Sequence, residues 1–150
     1  MDYLIKADLT TQIYPEIMDT ITRADDTIIN EAIGVAIDEA KGYLMRFNLP
    51  ALFGNYTNQS APVAPTIADR NLKSKVKDMA CWHLIKLANP NISLTLFRTA
   101  YEDAIKFLES VKKSQVAPDG WLYKPDDTTT DFNEGAMVGA SSNTKKRNHW

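Results

Sequence analysis

Apolar residues recur at three- and four-residue steps in three stretches of the chain, and each stretch predicts an amphipathic helix. The first, about residues 26 to 47, is written by Ile29, Ile33, Ala36, Ala40, Tyr43 or Leu44, and Phe47, with Asp25 or Asp26 at its start. The second carries Leu72, Val76, Met79 or Ala80, His83 or Leu84, and Leu87. Between Met79 and Ala88 the apolar residues cover most of its circumference, which predicts the central, most buried helix. The third shows Leu94, Phe97, Tyr101, Ala104, Leu108 and Val111, with Arg98, Glu102, Asp103, Lys106 and Glu109 mostly on the other side. A short connection, Asn89-Pro90-Asn91, should let it pack beside the second.

The breaks between these stretches carry their own signals. Asp8 is placed to cap a short helix through about Tyr14, and Pro15 suits the first turn of another, where its missing N–H costs nothing. Asn48-Leu49-Pro50 should end the first long helix, and residues 50 to 70, with Pro50, Gly54, Pro62 and Pro65, read as a long irregular loop. Loops of that length in compact domains usually serve a function. Residues 115 to 123, built on the turn Pro118-Asp119-Gly120 and the triplet Trp121-Leu122-Tyr123, read as extended structure or a small hairpin. From Lys124 to Trp150 there is almost no periodic apolar pattern, and such a segment is expected to be disordered on its own. The expected architecture is all-α: a compact bundle of about four helices over residues 1–123 with a long inter-helix loop, followed by an extended C-terminal arm over 124–150.

Composition adds little to that picture and removes several alternatives. The chain has 150 residues, 44% hydrophobic and 24% charged, with a formal net charge of −2, the profile of an ordinary globular domain rather than a general binder of nucleic acid or membrane surfaces. No apolar run approaches the roughly 20 residues that span a bilayer. The opening Met-Asp-Tyr-Leu-Ile-Lys lacks the basic and apolar regions of a leader, so synthesis and retention in the cytoplasm are expected. Cys81 is the single cysteine and sits in an apolar string, where a thiol behaves as a small hydrophobe.

Candidate chemistry is sparse. The histidines are His83, inside an apolar helix, and His149, in the arm. Cys81 and His83 are two residues apart, so on a helix they point about 200° from each other and cannot share a metal ion. The carboxylate pairs Asp25-Asp26, Asp38-Glu39, Glu102-Asp103 and Asp126-Asp127 are sequence neighbours that do not face one another, and solvated faces and caps explain them. The usual hydrolase, nucleotide-binding and metalloprotease motifs do not occur, and neither an enzyme, a cofactor nor a metal site is expected. Lys73, Lys75 and Lys77, and Lys112-Lys113, are the basic clusters of the folded part; a solvated face suits the first and a helix C-terminus the second.

Several passages together resemble the Mu-like head-tail adaptor family of tailed phages and prophages. They are Tyr3-Leu4 with Asp8-Leu9, then Ala32-Ile33, Ala36-Ile37-Asp38-Glu39-Ala40, Gly42-Tyr43-Leu44 and Phe47-Asn48-Leu49-Pro50. The likeness resumes at Val76-Lys77-Asp78-Met79-Ala80 with His83-Leu84 and at Tyr101 to Leu108, covering roughly residues 3 to 117. Arg46-Phe47 stands where the family usually has arginine-tyrosine. The resemblance implies a small helical subunit of a ring of twelve copies, docked on the portal in the neck of the virion, meeting tail or other neck proteins, and letting DNA pass through its lumen without sequence-specific binding. No membrane is implied.

The arm suggests how such a subunit could meet its partners. Trp121, Tyr123, Phe132 and Trp150 are candidate aromatic anchors on the portal or a neighbour, with Lys145, Lys146 and Arg147 pairing to acidic partner surface. The plainer reading is a solvated tail, with Trp121 and Tyr123 closing the domain core. Among rival functions, a stopper or tail-completion protein should be richer in β-strand. A DNA-binding regulator would need a basic recognition face that residues 93 to 111 do not supply.

Overall fold

A computed structural model describes residues 3–54, 63–86 and 94–124. The described residues form an all-α fold of six helices: α1 (Lys6–Leu9), α2 (Pro15–Thr22), α3 (Asp26–Tyr43), α4 (Leu49–Phe53), α5 (Arg70–Ile85) and α6 (Leu94–Lys112).

Local chemistry explains most of the boundaries. Asp25 caps α3 by accepting from the Thr27 N–H at 2.9 Å, and Asp69 caps α5 by accepting from the Leu72 N–H at 2.9 Å. Pro15 opens α2 as expected. Asp8 does not cap a helix reaching Tyr14. It lies inside the four-residue α1, and its carboxylate reaches back to the Ile5 N–H at 3.1 Å, satisfying a donor from within the first turn.

The helix expected over residues 26 to 47 stops at Tyr43. Leu44 and Phe47 are buried as their spacing predicted, but they reach the core through tight turns, with the Leu44 N–H bonded to Lys41 O and the Phe47 N–H to Leu44 O. The chain is drawn out of the helix because residues 46 to 48 pair with the returning C-terminal segment.

Part of the expected loop over residues 50 to 70 is helical. Asn48 accepts from the Ala51 N–H at 3.1 Å and Pro50 sits in the first turn, so the tripeptide expected to end the first long helix instead starts α4. Leu52 and Phe53 are fully buried. The chain leaves α4 through Gly54 at φ 79°, and on its return the Thr66 and Ile67 N–H groups both donate to Ala51 O.

Helix α5 is the centre of the molecule, packed against α3 and α6 and also touching α1 and α2. Its buried residues Leu72, Val76, Met79, Ala80, Cys81, Leu84 and Ile85 join the apolar faces of α3 and α6 in one core. Each fully buried Leu, Ile, Val or Met side chain contributes about 1.5–3 kcal/mol relative to exposure. Cys81 lies in this core, where burial, with a smaller push from Asp78, raises its thiol pKa to about 12 and leaves it protonated. None of the helices among the described residues is long and apolar enough to cross a membrane.

Beyond α6 the chain turns at Ser114, φ 58°, and runs back to α3. The Asn48 N–H donates to Leu122 O at 2.8 Å, the Lys124 N–H donates to Arg46 O at 3.1 Å, and Phe47 and Tyr123 form an isolated antiparallel bridge. Residues 122 to 124 are thus extended, paired with residues 46 to 48 rather than with themselves in a hairpin. The connection between α5 and α6, and the arm beyond Lys124, lie outside the described residues.

Candidate partner-binding site

The paired segments 46–48 and 122–124 form a clasp that ties the end of the described chain to the end of α3. Its inner side chain is Trp121, 7% exposed, whose indole Nε1 donates to Asp69 Oδ2 at 2.7 Å and whose ring meets Phe47 edge-on with centroids 5.2 Å apart. Its outer side chains are Leu122, 58% exposed, and Tyr123, 60% exposed, the latter stacked on Phe47 at 5.2 Å. Trp121 and Tyr123, paired in the sequence reading as anchors, are therefore separated by one residue and by their surroundings: the tryptophan closes the core and the tyrosine faces solvent. The remaining candidates Phe132, Lys145, Lys146, Arg147 and Trp150 lie outside the described residues.

Basic groups collect around the clasp. Arg46 Nη1 donates to Ser114 Oγ at 2.9 Å and approaches Lys112 O at 3.4 Å, while the Lys112 ammonium stands 5.8 Å from the centre of the Tyr43 ring. Lys124 is exposed beside them. By approaching that last-turn carbonyl, the arginine also offsets the negative C-terminal end of the α6 dipole.

Toward its other end, the molecule is acidic. Residues 15 to 39 carry Glu16, Asp19, Asp25, Asp26, Glu31, Asp38 and Glu39 against the single Arg23. Lys6 bonds to both Asp19, at 3.0 Å, and Asp26, at 2.8 Å. A groove of about 540 Å³ opens here between α3 and the end of α5, walled by Ile28, Ala32 and Val35 and bounded by Glu31, His83 and Lys86. A groove of this size is within the range that takes an apolar side chain or a small ligand.

Behind the groove is a polar cluster that joins three helices. Glu39 of α3 accepts from the Tyr101 hydroxyl of α6 at 2.6 Å and faces His83 Nε2 of α5 at 2.9 Å. Lys86 Nζ lies 2.8 Å from His83 Nδ1. An ammonium can only donate, so Nδ1 is the acceptor and the ring proton sits on Nε2, facing the carboxylate. Burial first, and the Glu39 contact second, push the Tyr101 hydroxyl pKa well above the ordinary tyrosine range. It stays a donor. The Tyr101 ring stacks on Trp82 with centroids 5.8 Å apart. Sequence reasoning placed His83 in a core or interface but treated Glu39 as a solvated carboxylate. The available signal was that two polar-tipped residues, His83 and Tyr101, sit on core-facing helices and each needs a partner.

Of the sequence's basic clusters, Lys73 pairs with Asp8 at 3.1 Å and Lys77 donates to Thr11 at 3.2 Å, tying α1 to α5. Lys113 bonds Glu109 one turn back at 3.3 Å. Among the described residues no group of three or more His, Cys, Asp or Glu side chains is arranged to hold a metal ion.

Compared with curated proteins, the sequence matches none. The family model described as "Bacteriophage Mu, Gp36" matches residues 3–137, which takes in every described helix, the clasp and the first part of the arm. Because that match spans most of the chain, the protein belongs to the bacteriophage Mu Gp36 family and is a Mu-like phage protein.

Proposed function

We propose that the chain is a head-to-tail connector subunit, one member of a ring docked on the portal in the virion neck, through which DNA passes to the tail. Membership of the Mu Gp36 family makes it a phage structural or morphogenesis protein associated with the virion. The observation that carries the finer reading is the all-α build of the described residues within that family. A stopper or tail-completion protein should be richer in β-strand, and the single pairing between described segments here is the isolated bridge at Phe47 and Tyr123.

In this reading the chain acts by contact and not by turnover. The Glu39, His83 and Tyr101 cluster is a structural joint: its polar atoms are engaged by one another or by Lys86, and the raised pKa of the Tyr101 hydroxyl keeps it a hydrogen-bond donor. The exposed edge of the clasp and the groove on α3 are contact surfaces of the kind a ring subunit needs. DNA passing through the lumen calls for no basic recognition face, and α6, with both signs of charge along its outer side, does not offer one.

The test is binding to the portal protein of the same particle. Purified chain and portal mixed and sedimented together should run as one complex with several copies of the chain per portal ring. A chain that sediments alone at every ratio contradicts the connector reading.

A further inference from the structure

The groove on α3 and the clasp complement each other and cannot meet within one molecule. The groove lies along residues 27 to 35, in the N-terminal half of α3, and the clasp begins just past the C-terminus of that helix. At 1.5 Å per residue this places them on the order of 20 Å apart. The clasp offers Leu122, more than half exposed, and, two residues on and on the same face of the extended segment, the cation of Lys124, while Tyr123 lies on the face that stacks on Phe47. The groove offers an apolar wall of Ile28, Ala32 and Val35, the last 42% exposed, below the exposed Glu31 carboxylate. Lys86 keeps its positive charge at that rim while bonded to His83 Nδ1, and the seven carboxylates of residues 15 to 39 outnumber it.

We infer that the groove on α3 receives the clasp of a second copy of this chain, Leu122 packing on Ile28, Ala32 and Val35, and Lys124 pairing with Glu31. The inference rests on the ring reading above and says which faces build the ring. Two different patches at opposite ends of one subunit make a head-to-tail contact, the kind that closes into rings when the rotation allows. Charge complementarity fixes its polarity: the basic end of each copy meets the acidic flank of the next. One such contact is small compared with the roughly 1,200 Å² of a stable pairwise interface. Association should therefore be weak for pairs, strengthened when every copy makes two contacts, and sensitive to salt.

The experiment is charge reversal read by sedimentation of the full chain over a range of concentrations at low salt. Glu31→Lys and Lys124→Glu should each weaken self-association about tenfold or more, and the doubly reversed chain, carrying both, should recover most of it. Among the described residues neither side chain is buried or in an ion pair, so the exchange should leave the fold intact. A second measurement traps the contact directly: chains bearing Val35→Cys are mixed under oxidising conditions with chains bearing Leu122→Cys. A disulfide between the two kinds of chain, formed much faster than between like chains, supports the contact; Cys81 is buried and does not compete. Single reversals that assemble as the parent does, with no preferential cross-link, overturn the assignment of faces and leave the ring reading standing. A parent chain that neither associates nor cross-links, and forms no ring on its portal, overturns both.

Discussion

Asp69 serves two elements with its two oxygens: Oδ1 accepts from the Leu72 N–H at the start of α5, and Oδ2 accepts from the Trp121 indole at 2.7 Å. One side chain thus sets where the central helix begins and holds the last core residue of the described chain, 52 positions later. Loss of a cap costs about 1 kcal/mol and loss of a half-buried hydrogen bond to a charged acceptor about 1.5–3 kcal/mol. Asp69→Ala should destabilise the fold by about 2–4 kcal/mol in a denaturant titration, with a red shift of tryptophan emission as Trp121 loosens. Asp69→Asn retains a capping oxygen and should cost less.

The Tyr101 hydroxyl supplies a pH signature. Its folded pKa is raised, first by burial and then by Glu39, above that of the unfolded chain. The bond to Glu39 therefore contributes its full stability below the unfolded value near pH 10 and loses it as pH rises toward the folded value. Tyr101→Phe should be less stable than the parent by about 1–2 kcal/mol at pH 7, and the gap should narrow above pH 10. Unfolding titrations of both chains at pH 7 and above pH 10 measure it.

Asp78 shows the opposite of a stabilising carboxylate. It is half-buried on α5, and burial raises its pKa, with Lys75 and Lys77 only partly opposing that shift. A raised carboxyl favours the folded state below the unfolded pKa and penalises it as pH rises through the folded value. Asp78→Asn should therefore raise the melting temperature at pH 7, by less than about 1 kcal/mol of stability, and lose its advantage near pH 3. Thermal melts of the two proteins at those two pH values decide it.

The backbone at Gly54 admits no side chain. Its φ is 79°, and a Cβ there would meet Val63 O at 2.5 Å, with Pro65 atoms at 3.2 Å. Gly54→Ala should cost roughly 2–3 kcal/mol, because both the dihedral and the packed return strand of the loop must yield. A melting temperature unchanged by this substitution would mean that α4 and residues 63 to 67 are not packed as described.

Where the sequence was legible, the reason was periodicity. The faces of α3, α5 and α6, and the central place of α5, follow from apolar spacing that the core then uses. What was not legible depended on contacts between distant segments. Nothing near Phe47 announces that it lies outside the helix, edge-on to Trp121 and stacked on Tyr123. Asn48-Leu49-Pro50 reads as the stop of a helix that ends earlier, at Tyr43, and that reading masks its role as the start of another. Trp121 and Tyr123 look alike in sequence as aromatic residues in a polar stretch, and only the position of Asp69 and Phe47 sends one inward and leaves the other outside. Glu39 was read with its sequence neighbour Asp38, whereas its partners come from α5 and α6.

The most direct test of the connector account is cryo-electron microscopy of the particle neck. The account predicts a symmetric ring of this chain seated on the portal, with α5 at the centre of each subunit and a continuous lumen for DNA. A neck resolved at side-chain detail whose rings are all built of other chains would contradict it.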